Sequence, residues 1–79
     1  MPEYNKTPED YGITSKVRIA LKVHADTENL LSGMKVGTEK GTVHLMGKVP
    51  TQKDKDAAER IARSVPDVTS LKNELEVGL

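Results

Sequence analysis

The sequence has no cysteine, no tryptophan and no phenylalanine. Without cysteine the chain has no disulfide, no thiolate nucleophile and no thiolate metal ligand, and it suits reducing and oxidising compartments equally. With only two tyrosines, it lacks the rings on which single-stranded nucleic acid stacks. Its twelve basic and twelve acidic residues cancel, so no net charge draws it to nucleic acid or membrane. We therefore expect no nucleic-acid partner, and any charged partner must bind a local patch.

Long apolar runs are also missing. No run approaches the length that spans a bilayer, and the N-terminus lacks the basic and apolar regions of a secretory signal. The sequence leaves two alternatives open, a cytoplasmic protein or a mature or excised segment. With 79 residues there is room for one domain. Residues 1–11 hold two prolines and no apolar periodicity, which predicts a flexible leader before a single domain over residues 12–79.

Two stretches have the apolar periodicity of amphipathic helices. The first covers residues 13–26, and the second covers residues 52–65 after Thr51, a residue type that favours the N-cap position. The first helix is expected to bury Ile13, Val17, Ala20, Leu21 and His24. The second is expected to bury Ala58, Ile61, Ala62 and Val65 and to form the outer pairs Asp56–Arg60 and Glu59–Arg63. Each helix therefore has one face for a core and one for solvent.

Apolar residues alternate with polar ones over residues 34–39, 42–48 and 71–77, which predicts three half-buried strands. Gly41 supplies the positive φ of a tight turn between the first two strands, and Gly47 ends the second. The order αββαβ predicts an α+β fold, a two-layer sandwich with both helices on one face of a three-stranded sheet. A right-handed crossover places the last strand parallel to the second. Whether it pairs with the first or the second strand is open.

Taken together, these residues resemble the BON domain family. The resemblance is carried by Ile13, Val17, Ala20 and Leu21 in the first helix, Gly41, Val43, Leu45, Gly47 and Val49 in the hairpin, Ala58, Ile61, Ala62 and Val65 in the second helix, and Val68, Leu71, Asn73, Leu75 and Val77 at the end. Pro66-Asp67 departs from the family, which usually has glycine just before Val68. The resemblance implies an αββαβ module of the periplasm or cell envelope, linked to osmotic stress, proposed to bind phospholipid and without catalytic residues.

The outer face of the first helix is the candidate site. It carries Ile19 and Val23 among the cations Lys16, Arg18 and Lys22. Exposed apolar side chains ringed by cations are typical of helices that lie on anionic lipid surfaces. We therefore expect a non-enzymatic module that attaches peripherally to anionic phospholipid. The alternative is a protein-interaction or chaperone-like module that uses the same face to contact a client or another domain of an envelope protein.

Catalysis and metal binding have little support. His24 is predicted on the core side of the first helix and His44 on the open sheet face, so the two should point apart. No serine shows a histidine and an acid at a spacing that predicts a triad. The segment Gly37–Gly41 lacks the Gly-Lys-Ser/Thr ending of a phosphate loop. We expect no enzyme, cofactor or metal, and a solvated open sheet face formed by Lys35, His44, Met46, Lys48, Lys72, Glu74 and Glu76.

Overall fold

The computed structural model of the chain describes residues 3–78. Its elements are α1 (Pro8–Val23), a short 3₁₀ helix (Leu31–Gly33), β1 (Met34–Glu39), β2 (Thr42–Val49), α2 (Gln52–Arg63), β3 (Ser70–Asn73) and β4 (Glu76–Val77). β1 pairs with β2 antiparallel, and β3 and β4 pair with β2 parallel. The helices pack against this mixed sheet, which confirms the predicted α+β class.

The predicted last strand is divided into two short segments beside β2, which is therefore the central strand. β3 places Ser70 opposite Thr42, and β4 places Val77 opposite Val49, so both segments keep one register. The interruption lies at residues 74–75, where the Leu75 N–H donates to the Asn73 side-chain oxygen at 3.2 Å. The chain nevertheless stays beside β2 across the interruption. The open question of strand order is thereby answered.

One core joins the two helices to one face of the sheet. It is formed by Val17, Leu21, Met34, Val36, Val43, Leu45, Val49, Ala58, Ile61, Ala62, Val65 and Leu75. Leu30 and Leu31 pack against it from the connection after α1. Because aromatic residues are absent from this cluster, branched aliphatic side chains from both layers fill the space between them.

α1 begins at Pro8, so the predicted start at Ile13 was wrong. The Thr7 hydroxyl accepts the Asp10 N–H at 3.1 Å as an N-cap, and Pro8 follows it, where its missing N–H does no harm. The predicted leader over residues 1–11 therefore overlaps the helix. The predicted end of this helix near Asp26 was also wrong, because α1 stops at Val23 and the backbone of His24 is extended. His24 is exposed rather than in the core.

Residues before the helix hold the outer edge of β1. The Asn5 N–H donates to the Thr38 carbonyl at 2.8 Å, and the Asn5 side-chain oxygen accepts the Thr38 N–H at 3.1 Å. The same oxygen accepts a hydrogen bond from the Thr14 hydroxyl of α1. Asn5 thus joins helix and sheet, although the composition of residues 1–11 predicts a flexible leader.

The hairpin turn between β1 and β2 is bonded to α1. Lys40 and Gly41 have φ of 50° and 84°, the pair of positive values that a type I′ turn requires. The two carboxylate oxygens of Asp10 accept the Lys40 and Gly41 N–H groups, each at 3.0 Å. Asp10 is itself buried. One side chain in the first turn of α1 therefore fixes the position of the hairpin against the helix.

α2 begins at Gln52 after the Thr51 N-cap, as predicted, but ends at Arg63 instead of Val65. Of its two predicted ion pairs, Glu59–Arg63 forms at 3.2 Å. Asp56–Arg60 does not, because Arg60 reaches Asp26 in the loop after α1, and Asp56 accepts from Gln52 instead. Within residues 3–78 no helix is both long enough and apolar enough to cross a bilayer.

Candidate binding face

α1 presents two rows of side chains to solvent. Ile19 and Val23 are 61% and 76% exposed, which confirms that both point away from the core. Arg18 and Lys22 stand one residue before each and are exposed as well. Because residues four apart on a helix are neighbours, an apolar row lies beside a cationic row. These four residues, Arg18, Ile19, Lys22 and Val23, are called the α1 face below.

An open groove of about 580 Å³ runs between α1 and the outer edge of β1. Arg18, Ile19 and Lys22 line its helical side, and Val36 of β1 lines it from the sheet. Leu31, beside the C-terminal half of α1, also lines it. The structure thus brings three of the predicted site residues together around one concavity, next to the edge of the sheet.

The three predicted cations of α1 differ in their ion pairing. Among residues 3–78, no carboxylate lies within ion-pair distance of Arg18 or Lys22. Lys16 differs, because its ammonium group forms an ion pair with Asp67. Lys16 also lines a second, shallow pocket with Pro66 on another side of α1. Of the three predicted cations, Arg18 and Lys22 therefore border the groove, whereas Lys16 lies elsewhere on α1.

The sheet face away from the helices is partly covered, contrary to the expectation that it is solvated. His44 is 9% exposed, and its Nδ1 lies 2.8 Å from a Glu74 carboxylate oxygen. The Tyr4 ring lies against it, with centroids 5.1 Å apart. Gly37, opposite His44 on β1, makes room for this ring, because a Cβ there would lie 2.6 Å from the Tyr4 Cγ. A glycine inside a strand was the sequence signal for this close approach.

Packing of Tyr4 onto the sheet also raises the pKa of its phenol. Desolvation by its neighbours raises the pKa of Tyr4 above the ordinary value, and the carboxylates of Glu74 and Glu39 raise it further. The neutral, protonated form of the Tyr4 phenol is therefore favoured where it packs on the sheet. His44 packs against Tyr4 and is paired with Glu74.

The two histidines do not form a common site. His24 follows the end of α1, where its Nδ1 lies 4.0 Å from an Asp26 carboxylate oxygen, whereas His44 lies under Tyr4 on the other side of the sheet. Across residues 3–78 no cluster of three histidine, cysteine, aspartate or glutamate side chains could hold a metal ion. What the described part of the chain offers is a candidate binding face, with exposed apolar side chains beside two cations that have no ion-pair partner within residues 3–78.

Comparison with known proteins agrees with this architecture. The sequence model of one protein family, described as the BON domain, matches residues 9–78. The matched region begins in the first turn of α1 and ends just after β4, so it includes every helix and strand described above. A search of curated proteins finds no match.

Proposed function

The chain belongs to the BON domain family, whose members are generally non-catalytic binding modules associated with the cell envelope or with osmotic stress, and we propose that it attaches peripherally to anionic phospholipid through the α1 face. The observation that carries this proposal is the pair of rows on α1. Ile19 and Val23 can enter the boundary between headgroups and acyl chains, while Arg18 and Lys22 remain among the headgroup phosphates.

The expected affinity of one domain is low. Each cation near an anionic surface contributes about 1 kcal/mol, and partial burial of Ile19 and Val23 together contributes about 2 kcal/mol. A total of about 4 kcal/mol corresponds to a Kd of about 1 mM. Half of this free energy is electrostatic, so raising the ionic strength from about 0.1 M to 1 M should remove much of the binding. Stable attachment would need several copies or a tether.

Replacing Ile19 with glutamate tests the proposal. We expect Ile19→Glu to weaken binding to phosphatidylglycerol-containing vesicles by at least about tenfold, because it removes an inserting side chain and adds a repelled charge. Vesicle flotation at low salt measures the effect, with pure phosphatidylcholine vesicles as the neutral reference. Since Ile19 is mostly exposed, the thermal midpoint should change little.

Val77→Glu is the matched control. Val77 is an exposed branched apolar residue on β4, at 45% exposure, so the same change of charge and polarity is made away from α1. Val77→Glu should float like the unaltered chain. If Ile19→Glu also floats like the unaltered chain while remaining folded, the α1 face is not the membrane contact.

A further inference from the structure

β1 is an edge strand, and within residues 3–78 its middle residue, Val36, has no hydrogen-bond partner on the outer side. Backbone groups of alternate residues point towards and away from β2. The backbone N–H and C=O of Thr38 point outward, away from β2, since Asn5 forms hydrogen bonds with both. Leu45, opposite Val36, directs its carbonyl away from β1 to the Glu74 N–H at 2.8 Å. Val36 therefore directs its own N–H and C=O outward, two residues along from Thr38.

The neighbouring positions on this edge are already occupied. Asn5 fills the position at Thr38, and the Met34 N–H donates to the Leu31 carbonyl of the 3₁₀ helix. Between them, the N–H and C=O of Val36 have no hydrogen-bond partner within residues 3–78. Val36 also lines the groove beside α1. The residue that carries this donor and this acceptor, in the geometry that a further β-strand uses, therefore borders the groove.

We propose that this groove binds an extended peptide segment bearing acidic side chains, which adds as a short strand to β1 at Val36. The added backbone accepts from the Val36 N–H and donates to the Val36 C=O. Alternate side chains of that strand face the helical wall, where Arg18 and Lys22 can pair with carboxylates. The helical wall from Tyr11 to Lys22 is about 16 Å long, which suits about five extended residues.

Other occupants fit the groove less well. A lipid acyl chain would leave the Val36 N–H and C=O without partners in an apolar medium, which is unfavourable. A second copy paired edge to edge would bring Arg18 and Lys22 of both chains into one groove, where like charges repel. An acidic peptide satisfies the backbone groups and both cations together. This inference does not rest on the membrane proposal, although three residues of the α1 face line both surfaces.

The test uses the full chain and an acetylated, amidated pentapeptide of alternating valine and glutamate. Hydrogen exchange of the Val36 amide, followed by NMR, should slow at least tenfold at saturating peptide, because the amide gains a partner. The same peptide with lysine in place of glutamate should not bind. Two peptides N-methylated at alternate residues, in opposite phases, should differ, since only one phase blocks the donors that face Val36.

Variants of the protein test which residues bind the peptide and which bind the membrane. Arg18→Glu should weaken peptide binding at least tenfold, whereas Lys53→Glu, the same charge change at an exposed site on α2, should not. Val23→Glu should impair vesicle flotation but leave peptide binding intact, because Val23 does not line the groove. The inference is overturned if Val36 exchange is unchanged by the glutamate peptide or equally slowed by the lysine peptide. It is also overturned if both N-methylated peptides bind alike, or if Val36 is protected by vesicles or by dimerisation alone.

Discussion

Gly47→Ala is expected to lower the free energy of unfolding by about 3 to 5 kcal/mol. Gly47 has φ of 111°, and a Cβ there would lie 2.1 Å from the Gly33 carbonyl oxygen. It would also lie 3.1 Å from the Met34 Cα. Both contacts are with backbone, which cannot rotate away as a side chain can. Because a domain of this size has about 4 to 12 kcal/mol of stability, the variant should lose at least about a quarter of it.

Gly41→Ala is the control for Gly47→Ala, because it introduces backbone strain without a steric clash. Gly41 also has positive φ, 84°, but a Cβ added there would have nothing within 4 Å of it. Its replacement should cost about 1 kcal/mol. Urea denaturation followed by circular dichroism gives both values. Equal losses in the two variants would mean that the close approach of Gly47 to the 3₁₀ helix has no energetic consequence.

Asp10→Ala is expected to lower the free energy of unfolding by about 2 to 4 kcal/mol. The variant loses two hydrogen bonds from backbone N–H groups to a carboxylate, at Lys40 and Gly41. It also removes a negative charge from the first turn of α1, where the helix dipole favours one. Because Asp10 joins α1 to the hairpin, amides at the turn should exchange faster in the variant.

Glu9→Ala is the control for Asp10→Ala, since it removes an exposed acid from the same helical turn. It should cost no more than about 0.5 kcal/mol. Urea midpoints and amide exchange at Lys40 and Gly41 measure both variants. If the two replacements are equally mild, the carboxylate of Asp10 does not hold the hairpin, and water replaces it without loss.

The hairpin and α2 could be predicted from sequence because their signals are local. Alternation over β1 and β2, the Lys40-Gly41 turn and the Thr51 N-cap each depend on residues a few positions apart. The start of α1 also had a local signal, Thr7 followed by Pro8, which the composition of the first eleven residues obscured. Contacts of Asn5 with Thr38 and of Tyr4 with Gly37 join distant parts of the chain. Gly37 within a strand indicates that some group approaches closely there, but no local pattern identifies Tyr4 or Asn5 as the residue that makes the contact.

The candidate site, too, could be predicted only where its features depend on local sequence. The rotation of about 100° per residue along a helix sufficed to predict that Ile19 and Val23 point away from the core. It could not show that Lys16 pairs with Asp67, because that pair depends on where the loop after α2 lies. Nor could it place Val36 beside Arg18 and Lys22 in a groove, since this depends on how α1 crosses the edge of the sheet.

The most direct test of membrane attachment through the α1 face is paramagnetic relaxation by a spin-labelled lipid. The full chain is mixed with phosphatidylglycerol nanodiscs that carry a headgroup spin label, and amide signal loss is mapped residue by residue. We predict the greatest loss at Arg18, Ile19, Lys22 and Val23, and its disappearance in phosphatidylcholine nanodiscs or at high salt. Greatest loss on the opposite sheet face, at Lys35 and Lys72, or no loss with anionic nanodiscs, would contradict this account.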